Sequence, residues 1–486
     1  MEVLNSFVGW VNGIVWGPLM LVLILGVGLF LQIGLKLMPI LRIGTGFALL
    51  FKGRESGEGE GQITPFNALM TALSATIGTG NIAGVATAVF LGGPGALFWM
   101  WMTALVGMAT KYSEAVCAVK FREQDSQGNF VGGPMYYIKN GLGAKWQWLG
   151  VAFALFGAIA AFGIGNGVQA NGVAQVLETN FGFNTSVTGV VLMILTGAVI
   201  LGGITRIGAV AGKLVPFMAV SYIVMGLIVL LINADQLGTA LGMVFTHAFT
   251  PSAAEGGFAG AAVWAAIRFG VARGVFSNEA GLGSAPIAHA AAETKGPVNQ
   301  GLIAMLGTFI DTIIVCSMTG FMILLAGPSV YTPGQELEDG ILAQTALTHH
   351  LDYGTGWTVW FMSIVIFLFA YSSTLGYSVF AEINVNYLGW TKHGSTILHV
   401  VMIAATGLGS IAALPLAWSL ADLSLALMTI INMVAVALLM KYGVRCLCDY
   451  DRQRKAGIET PVFVETPGFF PKAVPDSAWV ARHENE

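Results

Sequence analysis

Apolar segments long enough to cross a lipid bilayer recur along the whole chain, and short polar connections separate them. A transmembrane helix needs about 20 predominantly apolar residues. Eleven such segments occur, at approximately 14–35, 66–90, 96–118, 148–177, 185–203, 213–233, 260–289, 299–326, 356–385, 395–413 and 415–440. Only 10% of the residues are charged, whereas soluble domains carry about 25%. The sequence therefore predicts an all-α polytopic membrane protein with eleven transmembrane helices, numbered spans 1 to 11 in chain order.

Outside the spans, lysine and arginine are confined to alternate connections. They follow spans 1, 3, 5, 7 and 9 and recur in the C-terminal tail, whereas the N-terminus and the other connections carry none. Because cytoplasmic loops collect basic residues, we expect a multi-pass protein of the cell membrane with its N-terminus outside and its C-terminus in the cytoplasm. Arg268 and Arg273, within span 7, are exceptions. The net charge of −4 does not indicate a nucleic-acid partner.

A short glycine motif occurs twice, in span 2 as Gly78-Thr79-Gly80-Asn81 and in span 7 as Gly281-Leu282-Gly283-Ser284. The two spans are five apart, so the copies enter the membrane from opposite sides, as in an inverted-topology repeat. The sequence therefore predicts a single transmembrane transport domain over 1–440 and a solvated, partly disordered cytoplasmic tail at 441–486.

The glycine motif in span 2 makes a continuous helix unfavourable, because each interior glycine costs about 1 kcal/mol relative to alanine. Unwound backbone at membrane depth is tolerated only where it is buried or lines a cavity. The amides that begin the second half-helix can then bind a carboxylate, and the carbonyls that end the first half can bind an ammonium group or a hard cation. The alternative is close helix packing through small residues.

Span 7 places polar and ionisable side chains in the middle of the membrane, namely Ser277, Asn278 and Glu279. An ionisable residue at that depth is a functional candidate. The alternative for Glu279 is a structural ion pair with Arg268 or Arg273, and the sequence alone leaves both interpretations open.

Other spans carry polar residues that also allow two interpretations each. Asn166 and Gln169 in span 4 share a helix face and can bind a ligand or a neighbouring helix. The hydroxyls of Ser373 and Thr374 in span 9 suit a hard cation, although such hydroxyls often bond to their own helix. Asp311 in span 8 can relay protons or pair structurally. Elsewhere, we expect a structural pair between Lys111 and Glu114, and an interfacial position for His289.

Three strings of residues together resemble the alanine/glycine:cation symporter family. They are Gly78-Thr-Gly-Asn-Ile-Ala-Gly84, Gly132-Gly-Pro-Met-Tyr-Tyr137 and Arg273-Gly-Val-Phe-Ser-Asn-Glu-Ala-Gly-Leu-Gly-Ser284, and the resemblance covers nearly the whole chain. It implies a LeuT-type fold in which spans 2–6, at 66–233, and spans 7–11, at 260–440, form the inverted repeats, and span 1 with its linker, at 1–65, is extra. It also implies a transporter, not an enzyme, that takes up alanine or glycine with sodium into a bacterial or archaeal cell.

The resemblance also implies which residues bind the substrate and the ion. The substrate carboxylate would bind the amides of Thr79 and Gly80, beside Asn81, and the side chain of Gln169. The substrate ammonium would bind the carbonyls of Thr76, Phe276 and Ser277, and Asn278 and Glu279 complete the predicted substrate site. By analogy with the fold, sodium would lie among the carbonyls of Ser74, Ile77 and Ala370 and the hydroxyls of Ser373 and Thr374. No cofactor besides this ion is expected.

Bulky side chains limit the size of the substrate. Phe162, Ile164, Phe276 and Phe369 surround a glycine-lined gap, which favours a small neutral amino acid. Proton coupling through the acids of spans 7 and 8 is the main alternative to sodium. An intramembrane enzyme using Ser277 is disfavoured, because neither a Gly-x-Ser-x-Gly nor a His-Glu-x-x-His motif occurs. A channel is disfavoured because no repeated filter loop is present. The sequence leaves the oligomeric state open.

Overall fold

The computed structural model describes residues 2–54, 59–125, 128–250, 259–327, 330, 341–352, 354–390, 392–411 and 415–465, and this part of the chain is almost entirely helical. The α-helices are α1 (Glu2–Val15), α2 (Pro18–Gly34), α3 (Met38–Leu41), α4 (Ile43–Lys52), α5 (Pro65–Thr76), α6 (Ala83–Gly92), α7 (Gly95–Lys120), α8 (Pro134–Tyr137), α9 (Gln147–Phe162), α10 (Val168–Phe181), α11 (Thr185–Ile200), α12 (Gly203–Ile232), α13 (Ala234–His247), α14 (Ala259–Asn278), α15 (Ala285–Ala290), α16 (Pro297–Thr308), α17 (Ser317–Ala326), α18 (Ile341–Leu351), α19 (Trp357–Tyr387), α20 (Lys392–Ile411) and α21 (Pro415–Lys455). Shorter elements are the 3-10 turns Thr79–Asn81 and Ala144–Trp146, the π-helical segments Ile138–Leu142, Gly163–Gly167 and Phe309–Cys316, and an antiparallel hairpin of β1 (Glu123–Gln124) and β2 (Phe130–Val131).

A helix occupies each of the eleven predicted spans. By length and apolar composition, seven described helices are able to cross a membrane, or eight if the bent pair Pro65–Thr76 and Thr79–Gly92 counts as one span. The predicted spans outside this set hold α7, α11 and α14. The multi-pass helical architecture is therefore confirmed, and the count of eleven crossings stays a prediction.

Large apolar side chains cover the outside of the helix bundle. Leu19 and Val22 on α2 are 72% and 70% exposed, and Leu231 on α12 is 75% exposed. Asn81 and Asp311, in contrast, are fully buried. An extensive apolar surface marks contact with another apolar phase, so this distribution places the bundle in lipid and its polar groups at its centre.

Span 2 is interrupted, as its glycine motif predicts. The helix α5 ends at Thr76, a short 3-10 turn follows, and α6 begins at Ala83. The two parts of the span are bent by 66° relative to each other. Both parts are short apolar helices. The backbone groups at the break between them lie outside regular helical hydrogen bonding.

Span 7 is interrupted as well, between the end of α14 and the start of α15. The connecting loop contains three residues with positive φ, namely Glu279 at 53°, Gly281 at 94° and Gly283 at 82°. Glycine adopts this conformation at little steric cost, which explains the two glycines of the second motif. Glu279 carries a side chain in the same conformational region, so the surrounding contacts must compensate for the strain.

Arg122, which follows α7, fixes one end of the interrupted span 7. Its guanidinium donates to the backbone carbonyls of Ala290 at 3.1 Å, Ala292 at 2.9 Å and Glu60 at 3.0 Å. The guanidinium carbon also lies 4.2 Å from the centre of the Phe130 ring. Burial lowers the pKa of Arg122 to about 10, so the side chain stays charged at neutral pH. The end of α15 is thereby tied to the linker before α5 and to the hairpin.

The C-terminal segment packs against this same side of the bundle. Residues 441–455, predicted to belong to a solvated tail, instead continue α21 to Lys455. Beyond the helix, Glu465 forms a buried ion pair with Lys120 at 2.6 Å. Burial lowers the pKa of Lys120, and the Glu465 carboxylate opposes that shift. The rest of the predicted tail, 466–486, lies outside the described residues.

Glu465→Gln should loosen this segment, because removing one partner of a buried ion pair costs about 3–5 kcal/mol. We expect faster amide hydrogen exchange at residues 456–465, measured by mass spectrometry on detergent-purified protein. Arg452→Gln is the control, because the Arg452 side chain is 75% exposed in its pair with Asp449 and such surface pairs contribute about 0–1 kcal/mol. Equal exchange in the two variants would contradict a stabilising role for the buried pair.

Candidate binding site between the interrupted helices

The two interruptions face each other at the centre of the bundle. A Cβ atom added to Gly80 would lie 3.2 Å from the ring of Phe276 and 3.8 Å from Cα of Ser277. A side chain at this position would push against the Phe276 ring, so glycine favours the close approach between the turn of span 2 and the end of α14. The predicted substrate residues of the two spans are therefore brought together.

Asp311 joins the two interruptions through hydrogen bonds. One carboxylate oxygen accepts from Nδ2 of Asn81 at 2.5 Å, and the other accepts from the hydroxyls of Ser277 at 2.9 Å and Thr312 at 2.8 Å. Asp311 is fully buried and lies in the π-helical segment Phe309–Cys316 of span 8. Such segments often occur at functional sites. Asp311 was not among the predicted site residues, although an acid in an apolar span was the signal for it.

Asn81 and Thr79 satisfy the backbone groups that the break in span 2 releases. Oδ1 of Asn81 accepts from the amide of Gly78 at 3.0 Å, and its backbone carbonyl accepts from the hydroxyl of Thr319 at 2.8 Å. The hydroxyl of Thr79 donates to Oε1 of Gln169 at 3.2 Å, and the Thr79 amide lies 3.5 Å from the same oxygen. The turn thus holds its own shape while keeping amides directed towards span 4.

The two polar residues of span 4 have different surroundings. Gln169 lies against the turn of span 2, as a ligand-binding role requires. Asn166 instead bonds to α20, donating to the carbonyl of Met402 at 2.7 Å and accepting from the hydroxyl of Thr406 at 2.7 Å. Of the two interpretations from the sequence, contact with a neighbouring helix applies to Asn166.

Asn278, at the end of α14, and Glu279, directly after it, bond to groups other than the turn of span 2. Asn278 accepts from the amide of Ala280 at 2.9 Å and donates to Thr312. The carboxylate of Glu279 accepts from the hydroxyl of Ser284 at 2.5 Å and from the hydroxyl of Tyr377 on α19. These hydroxyls, not Arg268 or Arg273, are the contacts of Glu279, and they hold it in its strained backbone conformation. Whether Asn278 and Glu279 contact a substrate stays a prediction.

A second layer of buried polar residues supports the span 7 loop. Asn432 of α21 donates to the carbonyl of Gly281 at 2.8 Å and to the carboxylate of Glu114 at 2.5 Å. The expected pair between Lys111 and Glu114 does not form, because Nζ of Lys111 has no hydrogen-bond partner among the described residues. His289 is buried and bonds Gln300 at 2.7 Å, so it packs inside the bundle, and its position at the membrane interface stays a prediction.

Hydroxyls of α19 lie against the carbonyls at the end of α5. The Ser373 hydroxyl is 3.2 Å from the carbonyl oxygen of Ala75, and the Ser372 hydroxyl is 3.4 Å from that of Ile77. Thr374 donates to the carbonyl of Ala370 within its own helix. Neutral oxygens from two spans therefore converge where the sodium site is predicted. Ser372 was not predicted, because nothing in the sequence distinguishes it from a helical serine that bonds only to its own helix.

The exposure of the site differs between its two sides. Residues 68–78 and 277–292 are all buried, whereas Thr79, Arg273 and Phe276 are partly exposed. Of the predicted apolar wall, Phe369 is fully buried and Ile164 is 4% exposed. The centre is therefore closed on the side of α5 and α15 and less tightly closed on the side of α6 and α14.

Comparisons with known proteins agree with this geometry. The chain matches the sodium:alanine symporter family over residues 1–465. It is 49% identical over 436 residues to the sodium/alanine symporter AgcS of Methanococcus maripaludis, covering 89% of this chain and 94% of that protein. The chain belongs to the sodium:alanine symporter family. The names of this family and of this relative point to a transporter.

Further relatives and a solved structure extend the comparison. This family member is 37% identical to the putative sodium/proton-dependent alanine carrier protein YrbD, over 94% of both chains, and 37% identical to the probable sodium/glutamine symporter GlnT, over 95% of this chain and 94% of that one; both are from Bacillus subtilis. The crystal structure of MhsT in complex with L-phenylalanine aligns with a TM-score of 0.57 at 15% identity, covering 80% of this chain and 96% of that one. This similarity confirms the LeuT-type fold.

Gly80→Val should abolish amino-acid uptake while leaving membrane insertion intact, because its side chain would enter the space between the turn of span 2 and Phe276. Uptake of labelled alanine into cells, at matched expression, measures the effect. Gly84→Val is the control, because a Cβ there meets only the Arg273 side chain at 4.0 Å. Wild-type uptake by Gly80→Val would remove the span 2 turn from the site.

Proposed function

We propose that this protein is a secondary active transporter that moves small neutral amino acids, alanine and glycine, into the cell together with sodium. The observation that carries the proposal is the meeting of two interrupted helices, one from each half of the chain, at the fully buried Asp311. Backbone amides and carbonyls outside regular helical hydrogen bonding, together with one carboxylate at the same position, suit a zwitterion and a cation.

The substrate carboxylate binds the amides of Thr79 and Gly80 in this proposal. Gln169 already contacts Thr79, so its amide group can turn from that residue to the bound ligand. The substrate ammonium binds the carbonyls of Thr76, Phe276 and Ser277. The adjacent Asp311 carboxylate supports this orientation, because its negative charge favours a cation in a site removed from water.

Sodium binds in this proposal between the end of α5 and α19. Its ligands are the carbonyls of Ser74, Ile77 and Ala370 and the hydroxyls of Ser373 and Thr374. A hard cation prefers oxygen ligands, and the hydroxyls of Ser372 and Ser373 lie 3.2–3.4 Å from carbonyls at the end of α5. This geometry supports the ion site, and it adds Ala75 and Ser372 as candidate ligands.

Alternating access requires the closed side of the site to open. With the N-terminus outside the cell, the buried side formed by α5 and α15 faces the cytoplasm. The contacts of Arg122 with Ala290, Ala292 and Glu60 then hold that side closed. Release of the substrate into the cell requires these contacts to break, so that α5 and α15 can separate from the bundle.

Small amino acids are favoured over large ones by the packing at the junction. Gly80 lies against Phe276, and Phe369 and Ile164 are buried nearby. These bulky neighbours leave little space for a long side chain on the substrate. Proton coupling is the second candidate, because Asp311 and Glu279 are buried carboxylates next to the interruptions.

Uptake by the purified protein in proteoliposomes tests this function. An inward sodium gradient should drive accumulation of labelled alanine, and replacing external sodium with choline at fixed pH should abolish it. Unlabelled glycine should compete, and unlabelled leucine should compete weakly. Uptake that persists in choline but follows a pH gradient would establish proton coupling and overturn the sodium assignment.

Ser373→Ala combined with Thr374→Ala should raise the sodium concentration for half-maximal uptake by about tenfold or more, since a hydrogen-bonding group next to a charge contributes about 1.5–3 kcal/mol. The measurement is the sodium dependence of alanine uptake. Ser378→Ala is the matched control on the same helix, because the Ser378 hydroxyl donates to the Thr374 carbonyl one turn earlier. An unchanged sodium requirement in the double variant would move the ion site elsewhere.

A further inference from the structure

Lys111 is a buried cation in the middle of α7. The residue is 3% exposed, and its Nζ has no hydrogen-bond partner among the described residues. Burying an ammonium group is costly unless other charges or hydrogen bonds compensate for it. No role for Lys111 follows from the substrate and sodium sites described above, so its position needs a separate explanation.

The face of α7 that carries Lys111 lies against the interrupted span 7 and against span 8. A Cβ atom added to Gly107, one turn earlier on α7, would lie 2.8 Å from Cβ of Ala280 and 3.3 Å from Cγ2 of Thr308. Residues four apart on a helix share a face. Lys111 therefore projects from the surface on which the loop of span 7 and the helix α16 rest.

Three titratable groups from three elements interact electrostatically with Lys111. They are Glu114 on α7 itself, His289 on α15 and Asp311 in span 8. Asp311 and Glu114 are fully buried, and His289 is 1% exposed. The Lys111 ammonium is thus within electrostatic range of both the carboxylate that joins the two interruptions and the carboxylate that supports the span 7 loop.

We propose that Lys111 is a positioning residue that acts as the internal counter-cation of the transport site. Its fixed positive charge offsets the carboxylates of Asp311 and Glu114 and so limits how tightly the site holds a coupling cation. Because Lys111 interacts with Asp311 without a direct hydrogen bond, its effect is electrostatic and reaches the ion through the low-dielectric interior. This inference rests on the proposed sodium coupling.

The surrounding charges argue against an anion-binding role for Lys111. A bound anion would lie beside two carboxylates, whose repulsion opposes it. A purely structural ion pair is also disfavoured, because the contact of Glu114 is with Asn432 and those of Asp311 are with Asn81, Ser277 and Thr312. Charge compensation without contact is the role that remains for Lys111.

Lys111→Met, which keeps the length of the side chain and removes its charge, tests the proposal. We expect sodium to bind about three to ten times more tightly and the maximal rate of uptake to fall, because a more negative site releases the cation more slowly. The sodium dependence of labelled alanine binding to purified protein and the sodium dependence of uptake measure the two effects. Structural damage would weaken sodium binding, so unchanged or weaker binding would overturn the proposal.

Lys111→Met combined with Glu114→Gln restores the charge balance and keeps an acceptor for Asn432. We expect this double variant to return the sodium affinity towards that of the wild type. If Lys111→Met alone does not fold, the double variant should recover folded protein, measured by size-exclusion chromatography. A double variant that is no better than Lys111→Met in either respect would contradict charge compensation.

The wild-type protein separates this inference from the proposed function. Alanine binding by the wild type that is insensitive to sodium would overturn sodium coupling itself, whatever the variants do. Sodium-dependent binding by the wild type, without tighter binding by Lys111→Met, would overturn the role of Lys111 alone.

Discussion

Backbone polar groups inside a bilayer must be hydrogen-bonded within the protein, and the centre of this structure depends on that constraint. Two helices stop beside each other and leave such groups without helical partners. Asp311 links the residues next to both breaks, because it accepts from Asn81 on one side and from Ser277 on the other. One buried side chain therefore connects the two interruptions. The same carboxylate gives the junction a negative charge, which suits a cationic group.

Close approach of backbones makes this arrangement possible. Gly80 allows the turn of span 2 to meet Phe276, and Gly165 allows span 4 to meet Tyr377, whose ring atoms lie 2.1–2.5 Å from the Cβ position of that glycine. Tyr377 in turn bonds to Glu279 in the loop of span 7. The helix α19, which carries Ser373, therefore also holds Glu279, the strained residue in the loop of span 7. Through this contact, the elements proposed for sodium and for the amino acid are connected mechanically.

Local features of the sequence predicted the interruptions well. Glycine motifs with neighbouring polar residues disfavour a regular helix wherever they occur, so Gly78 and Gly281 located both breaks without any knowledge of packing. The partners of charged side chains were harder to predict. Lys111 and Glu114 are three residues apart, yet Glu114 bonds to Asn432, which is distant in the sequence. The extent of the last helix was also missed, because Tyr442, Cys446 and Leu447 are buried in a cluster with Cys117 of α7, while charged neighbours such as Arg452 stay exposed.

The sequence by itself determined the membrane environment, the helical class and the positions of the two breaks, because each depends on hydropathy or on backbone propensity within a short window. Only the tertiary structure decided which groups meet at those breaks. The contact of Asn81 with Asp311 spans 230 positions, and a hydrogen bond across that separation leaves no periodic pattern in the chain. The direction in which a buried charge points depends on helix rotation and packing, which become fixed only when the whole bundle assembles.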